Sequence, residues 1–288
     1  MVHPGAEMLG PVGNLHDLVS LRAAQQNRAA LNQSFQRLAT GNRINSGADD
    51  PAGLIAATNL DATLAALEAE TSANERAIHM SDTADAAMGQ ISDLLTEAKS
   101  RVVANANDAG LSADEKAANQ LEIDSILDSV DRIANTTNFN GTKLLDGSGE
   151  ISASGAKATI ASLESGDIGK QSISGTDYSL GDLRGGGSLD TTSSSHSENA
   201  GKVIDQAISD VSTARGKLGA FSRHTLHSRL TQVAGSRQKM LEEISMIRDT
   251  DYAREIALKF RSELLDRASL MMLRREFKAK GSILDVRA

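Results

Sequence analysis

The chain contains no Cys and no Trp, and its 288 residues include only five Phe, two Tyr and three Pro. The absence of Cys excludes disulfides, thiolate metal ligands and a cysteine nucleophile. With so little aromatic area, a core must be built from Ala, Leu, Ile and Val, which suits helices that pack side by side. Pro4, Pro11 and Pro51 all lie in the first fifth of the chain, so the remainder is free of helix-breaking prolines.

The chain also lacks an excess of positive charge and any long apolar run. Its formal net charge is −8 and its pI is about 5.3. An acidic chain with few aromatic residues has neither the phosphate-binding charge nor the stacking surfaces of a nucleic-acid-binding protein. No segment reaches the roughly 18–20 apolar residues that span a bilayer, and the N-terminus has no basic leader. We therefore expect no nucleic acid or membrane as a partner and no cleavable signal peptide.

Apolar residues recur at steps of three or four along most of the chain, the spacing of a coiled-coil seam. One helix is predicted at about residues 14–39, another follows Pro51, and a third begins at a capping box formed by Ser112 and Glu115. The seam of the second helix consists of Ala77, Ser81, Ala84, Met88, Ile91, Leu95, Ala98 and Val102.

The longest apolar pattern lies in the second half of the chain and has no internal cap, which indicates a coiled coil. Its members are Val203, Ala207, Val211, Ala214, Leu218, Phe221, Leu226, Leu230, Val233, Met240, Ile244 and Ile247. A final helix over about residues 251–279 would carry Leu258, Leu264, Leu265, Ala268, Met271 and Met272 on one face. These patterns predict a mainly α fold: a long antiparallel helical coiled-coil hairpin bundle with a small β-rich or irregular central excursion.

Residues 146–198 are rich in Gly, Ser and Thr, a composition typical of flexible linkers. Short apolar alternations near Ile160 and Tyr178, together with the tight-turn dipeptides Asn140-Gly141 and Asp146-Gly147, favour hairpins instead. We expect a small β-rich excursion that connects the two helical halves.

Residues 37–60, RLATGNRINSGADDPAGLIAATNL, combine a helix end, a polar turn and a new helix start. Gly41 suits the left-handed conformation that ends many helices. Asp49 or Asp50 can cap the next helix, and Pro51 fits its first position, where no N–H is needed. The local chemistry predicts a joint between two helices that contains several charged side chains.

This string resembles the N-terminal signature of bacterial flagellins. Two further passages resemble the same family: DRIANTTNFNGTKLLDGS, which ends the third predicted helix, and the pair IDQAISDVSTARGKLGA and IRDTDYAREIA in the second half. The three blocks occur in the family's order and cover about three quarters of the chain. The resemblance implies a structural subunit that polymerises into the helical filament of the bacterial flagellum and serves motility.

The resemblance also assigns a subunit-assembly interface to two charged joints. The matching positions are Arg37, Leu38, Gly41, Arg43, Ile44, Asn45, Asp49, Asp50, Gly53 and Leu54, with Arg248, Asp249, Thr250, Asp251 and Ala253 in the second half. Both joints mix Arg with Asp, and partly desolvated charge pairs can fix the register between copies. The same groups could instead cap helices within one chain.

By the same resemblance, residues 1–45 and 250–288 would form the inner filament core. Residues 46–145 and 199–249 would form the coiled-coil rod domain, and residues 146–198 a variable segment that is partly β. Implied partners are other copies of the chain, the flagellar export apparatus, the cap and hook-junction proteins, and an export chaperone. The protein is then expected outside the cell, in the flagellum, after export without a cleavable signal peptide.

The two ends of the chain depart from the family pattern. Arg274, Arg275, Lys278 and Lys280 place positive charge where the family's inner layer packs, and the first 14 residues lack the family's usual start. Two alternatives stay open: a hook–filament junction protein of the same superfamily, which shares this type of joint, or a coiled-coil binding module that does not assemble, with which the charged C-terminus is consistent. The passages FNGTKLLDG and RDTDYA favour flagellin over the junction protein.

No motif in the chain predicts catalysis, a cofactor or a metal. His224 and His227 lie one helical turn apart, but no third ligand is near them in sequence. The patterns H-E-x-x-H, G-K-[ST] and G-x-S-x-G do not occur. We expect a protein that is not an enzyme.

Overall fold

The computed structural model describes residues 10–107, 110–153 and 155–285, with the side chains of 10–17, Ser194 and 276–285 outside the description. The first nine residues and the side chains of Lys278 and Lys280, which figured in the predictions, therefore lie outside the described part. The helices are α1 Gly10–Thr40, α2 Pro51–Asn105, α3 Ala113–Thr136, α4 Ser194–Phe221, α5 His227–Arg248 and α6 Tyr252–Asp285. The prediction of a mainly α protein with a small β-rich excursion is confirmed.

The chain divides into two compact units. We call residues 66–237 the central unit, and residues 1–65 with 238–288 the terminal unit. The central unit buries its apolar side chains in a continuous core, whereas most of the large apolar side chains that are exposed in the described part of the chain belong to the terminal unit.

A continuous apolar core runs through the central unit. All eight predicted seam residues of α2, from Ala77 to Val102, are buried, and α3 adds Ile123, Leu127 and Val130. The pairs Asp85–Arg215 and Lys99–Asp205 show that α4 runs antiparallel to α2. The capping box predicted at Ser112 and Glu115 is present at the start of α3.

Helix α4 continues into α5 through a π-helical turn at Ser222–Leu226. Along the predicted seam every step is three or four residues except in two places, and one of these is the step of five from Phe221 to Leu226. A π turn contains an extra residue, so it brings Leu226 back to the buried face, where it is fully inaccessible.

Three antiparallel hairpins account for the strands. They pair β1 Asn138–Phe139 with β2 Thr142–Lys143, β3 Glu150–Ala153 with β4 Ala156–Thr159, and β5 Gln171–Ile173 with β6 Thr176–Tyr178. Asn140 and Gly141 both have positive φ in the first turn, as that dipeptide predicts. A 3₁₀ turn, Leu180–Leu183, buries both its leucines, so this excursion is packed onto the helices.

The terminal unit pairs α1 with α6 in antiparallel fashion along a polar seam. Asn27 Nδ2 donates to Ser269 Oγ at 3.3 Å, and Ser34 Oγ donates to Glu255 Oε1 at 2.6 Å. Between them, Arg28 Nε lies 3.2 Å from Asp266 Oδ1. The apolar residues predicted to share a face of α6 are exposed on the isolated chain.

Candidate functional site

Helix α1 ends at Thr40, and the residue that follows it, Gly41, has φ +74°. Its N–H closes the last helical turn by donating to the Arg37 carbonyl at 2.9 Å. A Cβ at this position would lie 2.9 Å from Tyr252 Oη, at the first residue of α6. The backbone conformation therefore favours glycine here, and an added Cβ would also displace the exposed end of the Tyr252 side chain.

The two predicted joints meet through their backbones. Arg43 N–H donates to the Arg248 carbonyl at 2.6 Å, and Thr250 N–H donates to the Gly41 carbonyl at 2.8 Å. Between these bonds Asn42 faces Asp249 in an isolated antiparallel β-bridge. We refer to residues 37–54 and 248–255 together as the joint.

The carboxylate of Asp49 organises the turn between α1 and α2. Its Oδ2 accepts from the N–H groups of Asn45 and Ser46 at 3.1 and 3.0 Å, and its Oδ1 accepts from Gln33 Nε2 at 2.8 Å. The Gln33 side chain, followed by the Asn45 N–H, lowers the pKa of Asp49 below its ordinary value of 3.8. The turn thus holds this group in its charged form.

Two other carboxylates of the joint cap helices. Asp50 Oδ1 accepts from the Gly53 N–H at 2.9 Å at the start of α2, and Asp251 Oδ1 accepts from the Arg254 N–H at 3.1 Å at the start of α6. Of the two candidates offered by the sequence, Asp50 is thus the N-cap of α2 and Asp49 orders the turn. Pro51 is the first residue of α2, as predicted.

The three arginines of the joint that the sequence analysis named have different surroundings. Arg248 Nη1 lies 3.1 Å from Asp61 Oδ2, and Arg37 Nη1 lies 3.7 Å from Glu255 Oε2. Arg43 Nη2 donates to the Ile247 carbonyl at 2.6 Å, and across the described residues no carboxylate forms an ion pair with it. Arg43 therefore lies in the groove of the joint without a direct ion-pair partner among the described residues.

A groove of about 450 Å³ opens at the joint. Its charged lining comes from both segments, and Ile44, Met246 and Leu258 supply apolar surface. The predicted residues that line it are Arg37, Arg43, Ile44, Asp49, Asp50, Asp249, Thr250 and Asp251. Two buried atoms on residues of this lining, Arg37 Nε and Thr250 Oγ1, have no hydrogen-bond partner among the described residues.

The other predicted residues shape the joint without lining the groove. Gly53 lies against Ile44, whose Cδ1 would be 2.8 Å from a Cβ added there. Asn45 Nδ2 donates to the Asn42 carbonyl at 2.8 Å. The remainder, Leu38, Arg248, Leu54 and Ala253, belong to the joint's helices, and Ala253 is exposed. The sequence analysis did not assign Arg254 and Glu255 to the site, although both directly follow Ala253 in the passage IRDTDYAREIA.

Exposed apolar side chains concentrate in the terminal unit. Within the described part of the chain, all but two of the exposed large apolar residues belong to it, the exceptions being Val103 and Leu121. On α6 the exposed set comprises Tyr252, Ile256, Leu258, Phe260, Leu264, Leu265, Met271 and Met272. An exposed apolar area of this kind marks an interaction surface, because monomeric proteins seldom leave one uncovered.

The described residues contain no group of three or more His, Asp or Glu side chains placed to hold a metal ion. None of their helices combines the length and the apolar character needed to cross a bilayer. The interactions observed at the joint are charge pairing, helix capping and apolar contact.

Comparison with known proteins gives a consistent result along the chain. The model of the bacterial flagellin N-terminal helical region matches residues 13–150, and that of the bacterial flagellin C-terminal helical region matches residues 202–285. Flagellin of Bacillus subtilis (strain 168) is 29% identical over 290 aligned residues, which cover 90% of this chain and 93% of the relative. Flagellin of Listeria monocytogenes is 28% identical over 274 residues, with the same shares of the two chains covered.

Among solved structures, one provisionally assigned as a flagellar hook-associated protein from Vibrio parahaemolyticus matches with a TM-score of 0.52. It is 17% identical and covers 69% of this chain and 99% of that one. At this identity the similarity concerns the fold alone.

Proposed function

Because this chain belongs to the bacterial flagellin family, we propose that its terminal unit is the surface through which copies bind one another in the flagellar filament. The protein is a structural subunit that polymerises with itself and works outside the cell. The proposal concerns which part of the chain makes the contacts between subunits.

The observation that carries the proposal is the exposed apolar surface of α6. Burying one Leu, Phe or Met side chain stabilises a structure by about 1.5–3 kcal/mol. Because several such side chains are exposed on α6, the isolated chain lacks the stabilising free energy that their burial would give. The seam between α1 and α6 is polar and leaves these residues outside it. Contact with further copies would remove them from water.

The joint supplies the charged part of the same surface. Arg43 has no ion-pair partner within the described chain, and the groove beside it carries several carboxylates. An arginine in one copy can pair with a carboxylate in the next, and such pairs set register more than they add affinity. We assign the fifteen predicted joint residues to this interface, with the residues that line the groove making the direct contacts.

This assignment implies a different place in the filament for each part of the chain. Residues 1–45 and 250–288 would form the inner filament core, residues 46–145 and 199–249 the surrounding coiled-coil layer, and residues 146–198 part of the outer surface. The export apparatus, the filament cap, hook-junction proteins and an export chaperone are the further partners that family membership supports. Export would proceed without a cleavable signal peptide, and the protein would have no enzymatic activity.

A truncation experiment tests the proposal. A chain that lacks residues 1–40 and 270–288 should remain helical by circular dichroism, because the core of the central unit is intact, and should form no filaments on flagellar seeds. The full-length chain, under the same conditions, should extend the seeds. Filaments formed by the truncated chain would show that the terminal helices are not the assembly element.

A further inference from the structure

Three methionines are among the most exposed apolar side chains of the described residues. Met246, Met271 and Met272 are 81%, 64% and 62% exposed, whereas Met88 is fully buried in the central unit. The chain has eight Met and no Cys, so thioethers are its only sulfur groups. Among the methionines that the structure describes, exposure makes these three the thioethers that a soluble oxidant reaches first.

All three belong to the surface that the proposed function covers with other copies. Met246 lies on α5 and lines the groove of the joint together with Leu258. Met271 and Met272 lie on α6, about two turns beyond the exposed Leu264 and Leu265. Met271 and Met272 are part of the exposed apolar face of α6 on which the proposed assembly surface rests, and Met246 lies in the groove of the joint, so the position of all three links sulfur chemistry to polymerisation.

We propose that Met246, Met271 and Met272 are an oxidation site that controls assembly, a proposal that rests on the function assigned above. In the unassembled subunit they are open to peroxide, and their oxidation prevents the chain from joining a filament. In the assembled filament neighbouring copies cover them, so the polymer resists the same oxidant.

The chemistry balances with hydrogen peroxide as the only co-reactant. One peroxide oxygen is transferred to methionine Sδ, the O–O bond breaks, an S–O bond forms, and the peroxide leaves as water. Sulfur loses two electrons in this step and peroxide gains them. The product is a polar, chiral sulfoxide in place of a flexible apolar side chain, and methionine sulfoxide reductases reverse the change.

The consequence for assembly follows from burial. A sulfoxide oxygen accepts hydrogen bonds from water in the free subunit, and it loses them when an apolar contact closes over it. We expect the critical concentration for polymerisation to rise by about tenfold or more when all three are oxidised. Leucine at the same positions keeps the apolar volume and cannot be oxidised in this way, so it is the matched control.

The experiment treats full-length subunits and preformed filaments with the same dose of hydrogen peroxide. Peptide mass spectrometry then measures the gain of one oxygen at each methionine, with Met88 as the buried internal reference. A second arm compares polymerisation of the treated chain with that of the treated Met246→Leu, Met271→Leu, Met272→Leu variant. That variant retains the other five methionines, so it also reports on their oxidation.

The expected result has three parts. The three methionines are oxidised in the subunit before Met88 and are protected in the filament, the treated chain no longer polymerises, and the treated leucine variant does. Equal oxidation in subunit and filament, or equal loss of assembly in the leucine variant, would overturn the inference. A chain that polymerises equally well before and after treatment refutes this inference alone. An untreated chain that never polymerises refutes the proposed function, and this inference with it.

Discussion

Asn42 and Asp249 face each other across an antiparallel β-bridge, although they lie in opposite halves of the chain. The bridge sits between two backbone hydrogen bonds, Arg43 N–H to the Arg248 carbonyl and Thr250 N–H to the Gly41 carbonyl. The segment between α1 and α2 and the segment between α5 and α6 therefore form one structural element. Charged side chains from both segments line one groove because the backbones are held together in this way.

Replacing Gly41 by Ala should destabilise the joint by about 1–2 kcal/mol, because φ is +74° and the new Cβ would meet Tyr252 Oη. Hydrogen exchange of peptides from the joint should accelerate, with the Thr250 amide the clearest reporter. Gly219→Ala is the control, since nothing lies within 4 Å of its added Cβ on the helical backbone of α4. Unchanged exchange at the joint in Gly41→Ala would mean that glycine is not required there.

Replacing Asp251 by Ala should cost about 1 kcal/mol at the start of α6, because the Arg254 N–H loses its acceptor. Asp251→Asn keeps an acceptor oxygen and should retain most of that stability. The measurement is hydrogen exchange in the first turn of α6. If the Asn and Ala variants lose protection equally, the charge of Asp251 matters rather than its capping bond.

Acid should weaken the turn around Asp49. Its pKa is lowered in the folded chain, chiefly by the Gln33 side chain and then by the Asn45 N–H, so the unfolded state binds protons more readily. The stabilising contribution is complete above the ordinary pKa of 3.8 and disappears as pH falls through the lowered pKa. Asp49→Asn should be less stable than the parent at pH 7 and show a flatter loss of stability in acid. Parallel acid titration curves for the two chains, followed by circular dichroism, would rule this out.

Reversing the charge of Arg43 should impair assembly more than folding. In the isolated subunit Arg43→Glu loses one side-chain bond, to the Ile247 carbonyl, while the backbone bond to Arg248 remains. Seeded polymerisation measures the first effect and circular dichroism of the subunit the second. Arg76→Glu, an exposed change on α2 in the central unit, is the control and should polymerise normally. Normal filaments from Arg43→Glu would remove Arg43 from the interface.

The sequence predicted local features of the fold well, because spacing and capping are local. Every seam residue from Ala77 to Val102 is buried, and the capping box at Ser112 is present. The π turn after Phe221 was not predicted, although the step of five residues to Leu226 was a readable signal of it. An irregular step in an otherwise regular seam forces either a helix break or an extra residue in one turn.

The candidate site was only partly predictable from the sequence. Charge patterns and family resemblance located Arg43 and Asp251, but hydrogen bonds such as Ser34 to Glu255 join residues that are distant in sequence, and no local pattern reveals them. The periodicity of α6 located an apolar face at Leu264, yet could not say whether this chain or another copy covers it. Only the polar seam between α1 and α6 shows that the same chain does not.

Seeded polymerisation of two matched double variants tests the central claim most directly. Phe260→Ser with Leu264→Ser changes side chains on α6 that are 57% and 66% exposed. Val103→Ser with Leu121→Ser changes side chains of the central unit that are 59% and 71% exposed. If the terminal unit is the assembly surface, both subunits stay helical by circular dichroism, but electron microscopy shows filaments only from the Val103 and Leu121 variant. Normal filaments from the α6 variant would contradict the claim.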